Sequence, residues 1–115
     1  MFNMFSNSPG MPPPYPLPAV RSIPEAAFDT LVSQITCFEK ETSNSEVVGA
    51  LLASFGQAVT IQLKSLSRDG QFICMVGFTD DGSEATLIQH YSQVSLLLLK
   101  MPKPAGFEKQ RIGFL

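Results

Sequence analysis

The segment QFICMVGF, residues 71–78, decides which folds this chain can adopt. Successive side chains of a strand point to opposite faces. One face would carry Phe72, Cys74, Val76 and Phe78, and the other would carry Ile73 and Met75. Both faces are therefore apolar, and residues 94–101 have the same property. Because one helix covers only one side of a sheet, we expect a second cover: barrel closure, another subunit or an arm of the same chain. Closure together with oligomerisation is the favoured combination, because both remove edge strands.

The flanking sequence predicts hairpins and one helix. Asp69-Gly70 and Asp81-Gly82 are turn signals, because Asp-Gly pairs readily adopt positive φ values. Ser22 with Glu25 forms a capping-box pattern, and an apolar stripe then predicts an amphipathic helix over residues 24–41. Residues 46–56 could form a short helix or a strand, and Val47, Val48 and the distance to Gly56 favour a strand. Alternation or apolar runs predict further strands near residues 58–65, 71–78, 84–91 and 94–101. The predicted fold is α+β: an N-terminal helix packed on a strongly bent antiparallel sheet or small closed barrel of about five strands.

A proline-rich arm precedes this domain. Residues 1–20 hold six prolines and no charged side chain, so neither a helix nor a sheet ladder can run through them. We divide the chain into an apolar arm, residues 1–21, and one domain, residues 22–115. The arm is either a flexible leader or an extended segment that packs across its own domain or a neighbouring subunit. The residues assigned to arm or subunit contacts are Phe2, Phe5, Tyr15, Ile73 and Met75.

Composition excludes several classes of protein. A net charge of −2 provides no general field that would attract double-stranded DNA or an anionic membrane. The longest aliphatic run, residues 96–99, is far shorter than the roughly 20 residues of a membrane helix, and the N-terminus has no secretory pattern. We therefore expect a cytoplasmic protein. Cys37 and Cys74 form no CxxC motif and are expected to be reduced, buried side chains.

Catalysis and metal binding are not expected. His90 is the only histidine, and no carboxylates or thiolates accompany it at ligand spacing. Both cysteines lie in apolar patterns, which disfavours a Cys/His dyad. The sequence has no phosphate-binding glycine motif and no nucleophile-elbow motif. We predict a protein that is not an enzyme and uses no cofactor.

The polar residues around His90 are the predicted ligand-binding site. Gln89, His90, Ser92 and Gln93 precede an apolar run, and each can both donate and accept hydrogen bonds. On an extended backbone His90 and Ser92 would share one face, and Gln89 and Gln93 the other. We add Arg111 to the predicted site because a guanidinium can form bidentate hydrogen bonds to phosphate oxygens. The alternative, which the sequence leaves open, is a buried polar network that joins strand ends.

Several motifs resemble a known family. FGQAVTIQLKSLS, GFTDDG, LIQHYSQVSLLLLK and RIGF resemble an uncharacterised bacterial and prophage family catalogued as a domain of unknown function, over residues 25–115. The resemblance implies a bacterial host cell and no particular activity. A second, architectural resemblance is to Sm and Hfq-like rings, in which a histidine precedes the last barrel strand, as His90 does here. Gln89 stands where those rings have a lysine.

Three functions are compatible with these features. The favoured one is a non-enzymatic, homo-oligomeric binding module, a phage or prophage protein that sequesters a nucleotide-like small ligand. The second is an Sm-like binder of single-stranded RNA that uses lysines against phosphates. The third is a protein-interaction subunit, an inhibitor or adaptor, that docks through its arm or an exposed sheet face.

Overall fold

The computed structural model describes residues 21–54 and 57–115. The proposed arm contacts Phe2, Phe5 and Tyr15 lie outside the described residues. The described elements are α1 (Ile23–Lys40), β1 (Glu46–Ser54), β2 (Gln57–Asp69), β3 (Phe72–Phe78), β4 (Glu84–His90), a 3-10 turn (Tyr91–Gln93), β5 (Leu96–Pro102) and β6 (Gly113–Phe114). This is the predicted α+β class, with the helix before the sheet.

Helix α1 begins at the predicted capping box. The Glu25 N–H donates to the Ser22 hydroxyl over 3.3 Å, and the Ser22 N–H donates to the Glu25 carboxylate over 3.0 Å. These two N–H groups have no carbonyl partner within the helix, and the capping box gives each of them an acceptor. The apolar stripe of the helix packs against the core, where Ile35 is fully buried.

The sheet has six strands in the order β4-β3-β2-β1-β5, with β6 beside β2. Neighbouring strands along this path are antiparallel, whereas β6 runs parallel to β2. Strand β2 is long enough to pair with β1 through its first half and with β3 through its second half. A register shift between Leu63 and Ser65 separates the halves. Beyond it Ser65 pairs with Gly113 of β6 rather than with β1, so β2 turns away from β1.

The described strands do not close into a barrel. Strands β4 and β5 end the path, and within the described residues β4 pairs only with β3 and β5 only with β1. The favoured expectation of barrel closure is therefore wrong for the described strands, and the alternative, an open sheet, forms. The predicted count of about five strands lacked β6, which contains only two residues.

The two faces of β3 differ in burial. Ile73 and Met75 are completely buried in the cluster that contains Ile35, so we call this the inner face. The opposite, outer face carries Phe72, which is 48% exposed. The assignment of Ile73 and Met75 to subunit contacts is therefore corrected: they offer no surface to a second subunit, and the accessible apolar side chains of β3 lie on its other face.

The two cysteines also differ from expectation. Cys37 is exposed on α1, two residues after the buried Ile35 and therefore off the packed stripe, and Cys74 is half-buried on the outer face of β3. Both are free thiols. Within residues 21–54 and 57–115, no helix combines the length and the apolar character needed to cross a membrane.

Candidate ligand-binding cleft

His90 is the point at which β4 ends. The sequence predicted a strand to residue 91, but the structure has a 3-10 turn from Tyr91 to Gln93 with His90 as its N-cap. The His90 ring accepts from the Ser92 N–H over 3.3 Å. The predicted alternation of faces therefore stops at His90, because the turn folds Ser92 back over the imidazole.

Both nitrogens of the His90 ring are hydrogen-bonded within the chain. Nδ1 lies 2.8 Å from the Ser92 hydroxyl, and Nε2 lies 2.8 Å from the Gln71 Oε1 atom. Since Nδ1 accepts from a backbone N–H, the ring proton is on Nε2, which donates to the Gln71 carbonyl oxygen. The two contacts agree on one tautomer. We call His90, Gln71 and Ser92 the histidine knot.

The knot joins two connections of the sheet. Gln71 belongs to the β2–β3 turn and Ser92 to the β4–β5 connection, while the Phe72 ring meets the imidazole edge-on at 5.6 Å. Of the other predicted site residues, Gln89 is half-buried opposite Ile73 on the inner face, and Gln93 is exposed on the turn. These residues do not form one surface, and the satisfied ring favours the structural-network alternative.

Arg111 lies away from the knot, beside a cleft of about 350 Å³. The cleft is formed where the C-terminal segment crosses the bent part of β2 and the end of β3. It is lined by Gln62, Leu63, Lys64, Phe78, Gly106, Phe107, Glu108, Gln110 and Arg111. The structure therefore separates Arg111 from Gln89, His90, Ser92 and Gln93, with which the sequence analysis had grouped it.

Two aromatic rings and a lysine form one wall of this cleft. The Phe78 and Phe107 rings meet at 6.5 Å with an interplanar angle of 73°. The Lys64 ammonium lies 5.5 Å from the centre of the Phe78 ring and 2.9 Å from the Glu84 carboxylate. Lys64 is therefore already paired. Within the described part of the chain, no hydrogen-bond or ion-pair partner contacts the exposed Arg111 guanidinium.

Contacts on either side hold Arg111 at the cleft. Two residues earlier, the Lys109 ammonium donates to the Thr42 hydroxyl at 2.7 Å and to the Ser43 carbonyl at 2.9 Å. One residue later, the Ile112 N–H donates to the Glu39 carboxylate at 2.9 Å, and the Ile112 side chain is buried. The backbone at Arg111 is thus fixed to the end of α1, while its side chain stays on the surface.

A second cavity of about 400 Å³ lies on the α1 side of the same segment. It shares Gln110 and Arg111 with the cleft, and it also includes Glu39 and Lys109. Glu39 and Lys109 are bonded to the protein itself, and no aromatic ring of the described residues lines this cavity, whereas Phe78 and Phe107 line the cleft.

Acidic groups of the described residues do not form a metal site. No group of three or more His, Cys, Asp or Glu side chains is close enough to hold an ion there. Asp81 caps the β3–β4 turn, where its carboxylate accepts from the Thr79 hydroxyl and, over 3.0 Å, from the Ser83 N–H. These hydrogen bonds lower the pKa of Asp81 to about 2.

Sequence reasoning missed most of the cleft. It identified Arg111 but not Gln62, Lys64, Phe78 or Phe107, because their proximity depends on where the C-terminal segment crosses the sheet. One local signal was present: Pro104-Ala105-Gly106 after β5 indicates a turn, and Gly106 has a φ of +74°. This turn directs Phe107 back towards Phe78.

The fold and cleft of the described residues define a small α+β protein in which one helix packs on an open, bent sheet with a polar–aromatic surface cleft. Residues 25–115 match the model of the family of unknown function DUF6173, and the chain belongs to that family. This confirms the expected relation to a domain of unknown function. No curated protein and no solved structure gave a match.

Proposed function

We propose that this protein is a non-enzymatic binding module that takes a nucleotide-like small ligand in the Arg111 cleft. The observation that carries the proposal is that Arg111, without a partner in the described part of the chain, lines the same cleft as the Phe78–Phe107 pair. The site differs from the one proposed from sequence, since the histidine knot uses its own hydrogen-bonding groups.

The cleft offers one group for each part of a nucleotide. A guanidinium binds two phosphate oxygens at once, and an aromatic ring provides a stacking surface for a base. Gln62 and Gln110 can both donate and accept, as recognition of a base edge or ribose requires. The volume of about 350 Å³ lies near the lower end of the roughly 300–1,000 Å³ of small-molecule sites, which suits a mononucleotide.

The proposal retains a homo-oligomer that sequesters its ligand in the cytoplasm of a bacterial host, as a phage or prophage protein would. The support is that β4 and β5 leave one edge each without a partner among the described strands. Unpaired edges are sites for strand addition by another chain. Native mass spectrometry of protein purified from its source cells measures subunit number and retained ligand together. A bare monomer would contradict both parts of the proposal.

The cleft is tested by titrating mononucleotides and inorganic phosphate into the full chain by isothermal calorimetry. Loss of a charge-assisted hydrogen bond costs about 1.5–3 kcal/mol, so Arg111→Ala should weaken nucleotide binding roughly 10- to 100-fold. Arg111→Lys should recover only part of the lost affinity, because an ammonium cannot form the bidentate hydrogen bonds of a guanidinium. Lys100→Gln is the charge control, since Lys100 lines neither cavity, and it should bind as the unaltered protein does.

Single-stranded RNA is the competing ligand in this experiment. An RNA binder would retain oligonucleotides with a steep salt dependence and would lose affinity equally in Arg111→Ala and Lys100→Gln. That pattern would contradict the mononucleotide cleft. Absence of binding by every mononucleotide and by phosphate would do so as well.

A further inference from the structure

The outer face of the β3–β4 hairpin carries an apolar patch. Ile88 of β4 pairs with Cys74 of β3, so the two side chains are neighbours on this face. We define the outer patch as Phe72, Cys74, Val76 and Ile88. Phe72 is 48% exposed and Ile88 is 61% exposed, whereas Cys74 and Val76 are half-buried.

The patch and the ligand cleft lie at opposite ends of the outer face of β3, because Phe78, which lines the cleft, shares that face with Phe72. None of its four residues lines the cleft, and α1 packs on the opposite face of the sheet. The described residues therefore leave Phe72 and Ile88 about half exposed to solvent. Apolar side chains clustered on one strand pair mark a surface that another segment covers.

Residues 1–20 have the composition of such a segment. They contain no charged side chain, and Phe2, Phe5 and Tyr15 supply aromatic groups. Their prolines favour the extended polyproline conformation, which loses little conformational entropy on docking. The side chains of the outer patch are likewise uncharged, so apolar contacts rather than ion pairs would join the two.

The described start of the domain, to which residues 1–20 are joined, lies near the patch. Glu25, in the first turn of α1, lies 3.8 Å from Arg68, and Arg68 donates to the Gly70 carbonyl at 2.6 Å. The N-terminus of α1 is therefore held beside the β2–β3 turn, two residues before Phe72. At about 3.1 Å per residue, 20 residues of polyproline helix span about 60 Å. The arm is long enough to pass around the end of the sheet.

We propose that residues 1–20 dock on the outer patch of their own subunit, with arm aromatic side chains against Phe72 and Ile88. Docking in the same subunit is favoured because the linkage gives the arm a millimolar effective concentration at the patch. The docked arm covers the apolar outer face of β3, which α1 cannot cover because it packs on the inner face. The proposal does not depend on the ligand cleft.

Cys74 provides a probe at the centre of the patch, and Cys37 provides an internal control on α1. The full-length protein is treated with iodoacetamide, and the labelling rate of each thiol is measured by peptide mass spectrometry. The test variant carries Phe2→Ala, Phe5→Ala and Tyr15→Ala, which remove the arm's aromatic contacts and keep its length. A matched variant carries Asn3→Ala, Ser6→Ala and Asn7→Ala in the same arm.

We expect the aromatic variant to label Cys74 at least threefold faster than the unaltered protein, with Cys37 unchanged. The matched polar variant should protect Cys74 as the unaltered protein does. Equal Cys74 rates in all three proteins would overturn the proposal. Protection that grows with protein concentration would also overturn it, because it would show the arm docked on a second copy. Far-UV circular dichroism verifies that each variant is folded, and Ile88→Ser, at the docking surface itself, should reproduce the faster labelling.

Discussion

The polar groups at the two ends of the β3–β4 hairpin differ in whether they are hydrogen-bonded within the described chain. At the Phe72 end, the His90 ring, Gln71 and Ser92 bond to one another. At the Phe78 end, Arg111 lies beside two aromatic rings and has no partner among the described residues. Both ends carry the residue types of a binding site, and only their hydrogen-bond partners distinguish them.

The difference shows how a polar cluster can be assigned a role. A ligand that bound a ring with both nitrogens already hydrogen-bonded would have to break those bonds. Such a ring is therefore expected to stabilise the fold rather than to bind a ligand. A guanidinium whose backbone is held in place, and whose N–H donors face solvent, breaks no protein hydrogen bonds and loses little conformational freedom when it binds an anion. We therefore assign stability to the histidine knot and recognition to the cleft.

The largest expected effect is at Gly77, next to Phe78 at the cleft end. A Cβ there would clash with the Gln62 carbonyl oxygen and lie 2.9 Å from the Ile61 Cδ1 atom. Because a backbone oxygen of the paired strand cannot move alone, Gly77→Ala should lower the free energy of unfolding by about 3 kcal/mol. Urea denaturation measures this loss.

Gly49→Ala is the matched control. Its Cβ would meet the Met101 Sδ atom, the flexible end of a side chain that can adopt another rotamer. We expect a cost of about 1 kcal/mol. Equal costs at Gly77 and Gly49 would mean that β2 and β3 are not as closely apposed as the structure shows.

The second effect is at the knot. His90→Ala removes hydrogen bonds to Gln71 and Ser92 and the ring contact with Phe72. At about 1 kcal/mol for a typical bond, and less where solvent substitutes, the loss should be about 2 kcal/mol. Gln93→Ala, on the exposed part of the same turn, should change stability by less than about 0.5 kcal/mol.

Ligand affinity separates the two roles of His90. If the knot only stabilises the fold, His90→Ala binds mononucleotide as tightly as the unaltered protein at a temperature where both are folded. A tenfold loss of affinity without loss of stability would return the ligand site to His90, where the sequence analysis had placed it.

Features set by neighbouring residues were predictable from sequence. The capping box at Ser22, the glycine turns at Gly70 and Gly82, and the alternation of β2 each depend on residues a few positions apart. Both glycines have the positive φ that their turns require. Local chemistry of this kind does not depend on the rest of the fold.

Features that join distant residues were not predictable. The two-residue strand β6 exists only because β2 bends away from β1 and leaves room beside Ser65. The Arg111 cleft follows from that docking. His90 was predicted as a ligand-binding residue, but its partner Gln71 lies 19 positions away across the hairpin and could not be inferred from neighbouring residues. Periodicity also placed Ser92 wrongly, since it assumed that β4 continued past His90.

A third, smaller effect concerns Lys64. Its pair with Glu84 has half-exposed side chains, 51% and 53%, so Glu84→Gln should cost less than about 1 kcal/mol of stability. The same substitution releases Lys64 beside Phe78 and removes a negative charge near the cleft. Anion affinity should therefore rise severalfold in calorimetry.

Asp80→Asn controls for charge alone, because Asp80 is exposed in the neighbouring turn and does not line the cleft. It should raise anion affinity less than Glu84→Gln does. If both variants gain equally, the effect is one of net charge and not of Lys64.

The smallest effect is the pH dependence of the Asp81 turn. Hydrogen bonds from the Thr79 hydroxyl and the Ser83 N–H lower the Asp81 pKa from 3.8 to about 2. Because the pKa is depressed by folding, the ionised carboxylate contributes stability above about pH 4, and that contribution is lost as the pH falls through 2. Asp81→Asn should melt slightly below the unaltered protein at pH 6, and the gap should close near pH 2.

The difference in melting temperature isolates Asp81 because every other side chain is the same in both proteins. Glu25 and Glu46 also have lowered pKa values, chiefly from hydrogen bonds of the Ser22 and Ser43 backbone, so each protein loses melting temperature in acid. Only the difference reports on the turn. A gap that persists at pH 2 would show that the substitution acts through packing rather than charge. In Asp81→Asn, amide hydrogen exchange should change at the Phe78 end of the hairpin and stay the same at the histidine knot, since the Asp81 contacts lie within residues 79–83.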